Sequence, residues 1–375
     1  MIHRKITHHI ANLFFKGKVI LIFGARQVGK TTLVNLLLEN RSESILSISG
    51  DEPDIREIFK EITSTQLKTL IGNHKILFID EAQRIKNIGL TLKLIVDNIK
   101  GVQVIATGSS AFELANKTSE PLTGRKYVFH LHPIAFEEML EHSNLLIEKR
   151  NLSQRLVYGC YPEIIIKENE SKELLKLLAD SYLYKDLLLL ESIKKPILLE
   201  KIVKALALQI GNQVSYNEIA RLVQADKLTV EKYIDLLQKA FVIFTLPAFS
   251  RNVRNEIKKS RKIYFYDNGI RNALIGNFNS VESRTDVGAL WENFLVSERL
   301  KFLTNHNSDK NIYFWRTTQQ QEIDLIEEDA NTLNSYEFKW NPNKNPKLSK
   351  TFLRAYPNTT FKVINKDNYE SFLIQ

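Results

Sequence analysis

With 375 residues, 43% hydrophobic and 25% charged, the chain has the make-up of a globular protein long enough for two or three domains, neither fibrous nor disordered. No apolar run reaches the ~18–20 residues needed to cross a bilayer, and a single cysteine, Cys160, excludes internal disulfides and cysteine-based metal clusters. A cytosolic protein is expected, without a membrane partner and with a mature chain starting near Met1; 52 lysines and arginines against 43 acids, a formal +9, bias it toward an anionic partner.

Lys18 to Phe23 is a short continuous apolar run that stops at Gly24, and Thr31 to Leu38 repeats apolar residues at helical spacing. The expected order is strand, loop, helix. The loop, Gly24-Ala25-Arg26-Gln27-Val28-Gly29-Lys30-Thr31, matches the full G-x-x-x-x-G-K-[ST] phosphate-binding pattern in the context that pattern requires. Glycines let the backbone approach phosphates, amides and the helix N-terminus supply positive potential, Lys30 reaches the β- and γ-phosphates, and Thr31 offers its hydroxyl to Mg²⁺. Thr32 completes the expected ATP-binding set, Gly24 to Thr32.

A nucleoside-triphosphate site also needs a carboxylate on a neighbouring strand. Lys75 to Asp80 delivers Asp80 to the C-terminal edge of a sheet as an outer-shell Mg²⁺ partner, and Glu81 follows in place to polarise an attacking water. An Asp-Glu pair after a strand also serves as a helix cap; the phosphate loop upstream favours the nucleotide role. Val102 to Ala106 is a further expected strand, ending in Thr107-Gly108-Ser109-Ser110. Phosphate loop, Asp-Glu strand and polar strand end together resemble the AAA+ branch of P-loop ATPases. That resemblance implies that Thr107 or Ser109 senses the γ-phosphate, the alternative being an ordinary helix start. It also implies that Arg125, in Leu122-Thr123-Gly124-Arg125, is an arginine finger reaching a neighbouring subunit of a homo-oligomer; the alternative is a solvated surface arginine. Gly159-Cys160-Tyr161-Pro162 is similar to the Gly-x-Pro element of signalling-type ATPases, and equally to a tight turn between helices.

From Leu174 to Leu208 leucine and isoleucine recur at steps of three and four, the mark of amphipathic helices. Ser215 can cap a helix carrying Ile219, Leu222 and Val223; Gln224-Ala225-Asp226 can turn; Thr229 to Lys239 can form a second helix. Phe241 to Leu246 and Ile263 to Tyr266 are the expected strands of a wing. The connection Arg251 to Lys262 holds six basic residues against one acid, which suits phosphate contacts with DNA. In the second helix Lys227, Lys232 and Lys239 are balanced by Glu231 and Asp235, so protein packing is an equal alternative there.

In the last third, Gly288 to Leu295 starts a helix, and Ile312 to Arg316, Glu322 to Ile326 and Tyr336 to Trp340 read as strands. Strand alternation puts Glu337 and Lys339 on one face, and likewise Glu322 and Asp324. Such acids and a lysine can converge to hold one or two Mg²⁺ or Mn²⁺ ions for phosphodiester attack, or can be solvent-facing strand charges.

The chain as a whole resembles a widespread prokaryotic family in which an AAA+-type ATPase is followed by a winged helix and a C-terminal domain of unknown function with a PD-(D/E)xK nuclease-like fold. The resemblance is carried by Gly24 to Thr31, Leu77 to Glu81, Thr107 to Ser110, Gly159 to Pro162, Tyr264 to Gly269, Trp291 to Phe294, Trp315-Arg316 and Glu322 to Asp324. By this resemblance Glu292, Asp324, Glu337 and Lys339 occupy the nuclease-like positions, while Gln321 stands where the family pattern often has glycine. The expected fold is α/β: an ATPase domain over residues 1–165, a helical and winged-helix region over 166–280 and a nuclease-like domain over 281–375. The expected partners are ATP, Mg²⁺ and DNA; the alternative is a nucleotide-gated switch that binds a protein partner through an inactive C-terminal domain.

Overall fold

The computed structural model describes residues 2–39, 41–109, 122–181, 195–250, 261–317, 319–330 and 332–375. Ser110, part of the leucine-rich run and most of the basic connection after Arg251 lie outside the described residues.

The fold is mixed α/β, with three sheets among the described residues. The largest holds β1 (Val19–Gly24), β2 (Ile45–Ser49), β3 (Ile76–Asp80), β4 (Gln103–Gly108) and β5 (Lys126–Leu131) in the order β2-β3-β4-β1-β5. Every pairing is parallel. Strands buried on both faces read as continuous apolar runs, which is why Val19–Phe23 and Ile76–Ile79 show no alternation. Because β4 sits between β1 and β3, the chain runs from β1 to the far edge and returns, and the order reverses beside β1. Ligands of open parallel sheets bind at such a reversal, beyond the carboxyl ends of the strands.

Two compact units are present: His3–His132 with Lys239–Phe241, and Pro133–Gln238 with Val242–Gln375. In the second unit the helices Tyr216–Val223 and Lys227–Lys239 flank the short turn expected at Gln224-Ala225-Asp226. The second helix begins at Lys227 rather than Thr229, because Asp226 caps it, accepting from the Thr229 amide at 2.8 Å and its hydroxyl at 2.6 Å. Ser215 does stand at the N-cap of the first, but its hydroxyl makes no capping bond. β6 (Gln213–Val214), β7 (Ile243–Pro247) and β8 (Arg261–Phe265) form an antiparallel sheet with β8 in the middle.

The C-terminal part follows the order helix (Val287–Asn305), β9 (Asn311–Arg316), β10 (Glu322–Asp329), β11 (Thr332–Phe338), helix (Lys350–Ala355), β12 (Thr359–Ile364). β9, β10 and β11 are antiparallel, and β12 joins β11 in parallel. The strand expected over Tyr336 to Trp340 instead ends at Phe338, so Lys339 falls one residue beyond it, and its amide donates to the Ile364 carbonyl at 2.9 Å. In the β9–β10 turn the left-handed residue is Gln320, at φ 62°, and not Gln321, so the missing glycine costs the turn nothing.

Several of the scattered motifs meet in the core of this unit. The Asn293 side chain mimics a strand partner for Phe265, accepting from its amide at 2.8 Å and donating to its carbonyl at 3.1 Å. The same amide group donates to the Asn268 side chain at 2.6 Å, and Asp267 accepts from the Cys160 amide at 2.7 Å. Gly159, at φ 73°, lies so close to Asp267 that a Cβ would fall 2.0 Å from Oδ1. The Cys160 thiol is buried, which raises its pKa and leaves it unreactive.

Candidate functional site

The loop after β1 is shaped by close approach. A Cβ on Gly24 would sit 2.2 Å from the Leu131 carbonyl at the end of β5, so only glycine fits there. Gly29 has φ 92° and open space where a Cβ would project, leaving the concave side of the loop bare. Gln27 also takes a left-handed backbone, φ 58°. Arg26 is half-buried and Ala25 and Val28 are buried, which holds the loop against the sheet.

Lys30 opens the Lys30–Glu39 helix, is 6% exposed, and donates to the carbonyls of Gly24 at 3.0 Å and Ala25 at 2.7 Å. The ammonium is thus held over the cradle by the loop itself. Thr31 and Thr32 are exposed in the first helical turn, and the Thr31 hydroxyl donates to Asp80 Oδ2 at 2.9 Å. Asp80 ends β3, and its other oxygen accepts a short hydrogen bond from the buried Thr107 hydroxyl at the end of β4. Thr107 Oγ1 in turn accepts from the Glu81 amide at 3.3 Å. One hydroxyl thereby fixes the orientation of Asp80 and the backbone of Glu81.

Glu81 has a left-handed backbone, φ 49°, and its carboxylate accepts from the Gln83 side chain. A strained non-glycine residue at a strand's end marks a position the surroundings over-determine. Gly50 allows this: its amide donates to the Asp80 carbonyl at 2.8 Å, and a Cβ there would meet the Glu81 carbonyl at 2.4 Å. Ser109, half-buried just past β4, completes this edge. A bare glycine cradle, a tethered ammonium and a hydroxyl already paired with a carboxylate fit a triphosphate with Mg²⁺.

Arg125 is not brought to this edge. It precedes β5, its carbonyl accepts from the Val19 amide at 2.9 Å, and so it lies at the opposite, N-terminal end of β1. Six residues at ~3.3 Å each separate the two ends. Its guanidinium holds Asp97 at 2.7 Å and lowers that carboxyl's pKa. Arg4, which no motif singles out, is buried beneath the loop and donates to the Val28 carbonyl at 3.0 Å and the His132 carbonyl at 2.6 Å.

In the second unit Glu292, Asp324, Glu337 and Lys339 do converge, together with Glu322. Lys339 Nζ reaches Glu337 at 2.7 Å and Asp324 at 3.6 Å, and Asp324 Oδ2 accepts from the Phe338 amide at 2.8 Å. Asp324 lies where the β9–β10 register shifts, an irregularity that turns its side chain inward.

The centre of this cluster is occupied by a residue the sequence places in the basic connection. Lys262, on β8 and 1% exposed, reaches Glu292 at 2.8 Å, Glu322 at 2.5 Å and Asp324 at 3.9 Å. Burial alone would depress its pKa, but these three acids outweigh that and hold it above the usual lysine value. The buried Tyr264 hydroxyl donates to Glu292 at 2.6 Å. Burial first, and then Asp324, push Glu292 up to about 7, and the same causes push Glu337 up to about 7. Among the described residues no group of three or more His, Cys, Asp or Glu is arranged to hold a metal ion.

Residues 16–140 match the family described as an AAA domain, and this segment is an AAA+-type P-loop ATPase domain. Residues 149–281 and 287–372 match two families described only as domains of unknown function (DUF8612 and DUF4143). The chain is 27% identical over 347 residues to an uncharacterized protein of Mycobacterium tuberculosis, covering 90% of this chain and 73% of the relative. It is 26% identical over 344 residues to an uncharacterized protein of Methanocaldococcus jannaschii, covering 86% and 74%. Among solved structures, the Thermotoga maritima RuvB Holliday junction branch migration motor aligns at 16% identity and TM-score 0.33, over 68% of this chain and 95% of that one. A signal transduction ATPase with numerous domains from Pyrococcus horikoshii aligns at 14% identity and TM-score 0.31, over 81% of this chain and 47% of that one. No helix among the described residues is long and apolar enough to cross a membrane.

Proposed function

We propose that the protein is a Mg²⁺-dependent ATPase whose turnover is coupled to DNA. The observation that carries the ATPase part is the continuous hydrogen-bonded set Thr31–Asp80–Thr107–Glu81, spread over three neighbouring chain segments beside the bare Gly29 cradle. Gly24 to Thr32 would hold the phosphates, with Lys30 on the β- and γ-oxygens. Mg²⁺, held by Thr31 with Asp80 behind it, would neutralise charge developing on the transferred phosphoryl group. Glu81 would orient the attacking water, Thr107 would keep Asp80 and Glu81 in register, and Ser109 would report on the terminal phosphate. Arg125 would act only on the site of a neighbouring copy, from the far end of the sheet.

In this proposal residues 1–165 form the ATPase domain, 166–280 include a winged helix and 281–375 a nuclease-like domain. The two helices with an antiparallel sheet support the second assignment, and the helix-strand-strand-strand-helix-strand order supports the third. The excess of 52 basic over 43 acidic residues supports DNA as the anionic partner.

A second reading is favoured by Lys262. With an ammonium on Glu292, Glu322 and Asp324, the cluster is neutralised from within, which supports a catalytically inactive C-terminal domain serving a nucleotide-gated switch with a protein partner. Steady-state ATP hydrolysis with Mg²⁺, measured with and without double-stranded DNA against Glu81→Gln as blank, separates the two. A rise in turnover with DNA is expected; turnover indifferent to DNA would reject the coupling and leave the switch.

A further inference from the structure

The sequence balances the basic residues of the Lys227–Lys239 helix with Glu231 and Asp235, but the fold separates the two signs in space. A cavity of about 1400 Å³ opens between the start of the Pro196–Leu208 helix, the Tyr216–Val223 helix and the Lys227–Lys239 helix. Its lining includes Lys195, Lys201, Arg221, Lys227 and Lys232, whereas Glu200, Glu218, Glu231 and Asp235 are not part of it. Among the described residues the one acid in the wall is Asp226, and its carboxylate is spent on capping Thr229, a pairing that keeps its pKa low. Among the described residues none of the five cations is held in an ion pair. Leu228 and Ile197, 75% and 71% exposed, stand beside them.

We propose that this groove seats the phosphodiester backbone of duplex DNA. Five cations along one open wall suit a ligand carrying a row of anionic charges. The volume exceeds the roughly 300–1,000 Å³ of small-molecule pockets, which argues against a single phosphate or a mononucleotide. Phosphate contacts of this kind hold a protein on a duplex without reading its sequence, so the groove supplies affinity and register rather than specificity. The inference rests on the DNA-coupled reading above and gives that reading its surface.

The test uses the full chain, a fluorescently labelled mixed-sequence duplex of about 25 base pairs (more than two helical turns) and anisotropy titrations across a salt series. Each phosphate neutralised steepens the plot of log K against log salt by about 0.9. Lys227→Gln/Lys232→Gln should weaken binding at least tenfold at low salt and flatten the slope by about 1.8, while basal ATP hydrolysis stays at the parent rate. Arg221→Gln should flatten it by about 0.9. The exposed pair Lys172→Gln/Lys176→Gln, outside the groove, should leave the slope unchanged. If the parent binds and the groove variants keep its slope, the groove is wrong while the DNA coupling stands. If the parent binds no duplex, or binds polyglutamate instead through Lys227 and Lys232, both the coupling and the groove are overturned.

Discussion

Lys262 Nζ lies 2.8 Å from Glu292 Oε1, although the two residues are 30 positions apart and one belongs to a strand whose neighbours in sequence are basic. The contact places a fixed positive charge among Glu292, Glu322 and Asp324, where phosphodiester chemistry would need a divalent ion. Removing one member of a buried ion pair leaves the other uncompensated, at a cost of roughly 3–5 kcal/mol. Lys262→Met should therefore destabilise the protein by about that amount in urea unfolding at pH 8, and by clearly less at pH 5.5. Equal losses at both pH values would contradict the ionic role.

The two carboxyls raised to about 7 give a second expectation. A carboxyl whose folded pKa lies above its unfolded value of about 4.3 binds its proton more tightly in the folded state. Its contribution to stability is full below that unfolded value and is lost as pH rises through 7. Thermal unfolding should then show Tm falling between pH 5 and pH 8, and Glu292→Gln should flatten that decline. A decline of unchanged slope in Glu292→Gln would assign the pH dependence elsewhere.

Arg4 props the phosphate loop from below through Val28 and His132. Arg4→Met keeps much of the buried volume and leaves two carbonyls without this donor, costing about 1–3 kcal/mol. ATP affinity should drop together with stability, read by a nucleotide-dependent thermal shift; a destabilised variant that binds ATP like the parent would restrict Arg4 to a folding role.

Thr107 is 1% exposed and joins Asp80 to the Glu81 backbone. Thr107→Val keeps the shape and deletes the hydroxyl. Loss of an interaction worth about 1–3 kcal/mol corresponds to a roughly 5- to 150-fold fall in kcat. The fall should appear in kcat with little change in nucleotide affinity, and an equal change in both would mean that Thr107 only supports binding.

The phosphate loop and Asp80 are legible in the sequence because the chemistry sits on contiguous residues with a fixed strand-loop-helix context. Glu292, Asp324, Glu337 and Lys339 are legible only through spacing and resemblance, and they do meet. Lys262 is not, since it reads as the tail of a basic stretch; its burial follows from β8 being the middle strand, which no local pattern states. Arg4 is hidden for the same reason, its partners standing 24 and 128 residues away. Arg125 reads in the sequence as a finger for a neighbouring subunit or as a surface arginine, and only the register of Val19 with Lys126 shows that it sits at the end of the sheet away from Gly24. The segregation of charge around Lys227 and Lys232 likewise depends on which helix faces enclose the groove, not on their count.

The most direct test of the account is paired measurement of Mg²⁺-ATP binding and steady-state hydrolysis in the parent, Lys30→Ala and Glu81→Gln. Lys30→Ala should weaken binding, because Lys30 is the ammonium held over the cradle. Glu81→Gln should bind ATP as the parent does and lose turnover by about two orders of magnitude or more, in the range typical of a positioned general base. Hydrolysis by Glu81→Gln at the parent rate would contradict the assignment of the site.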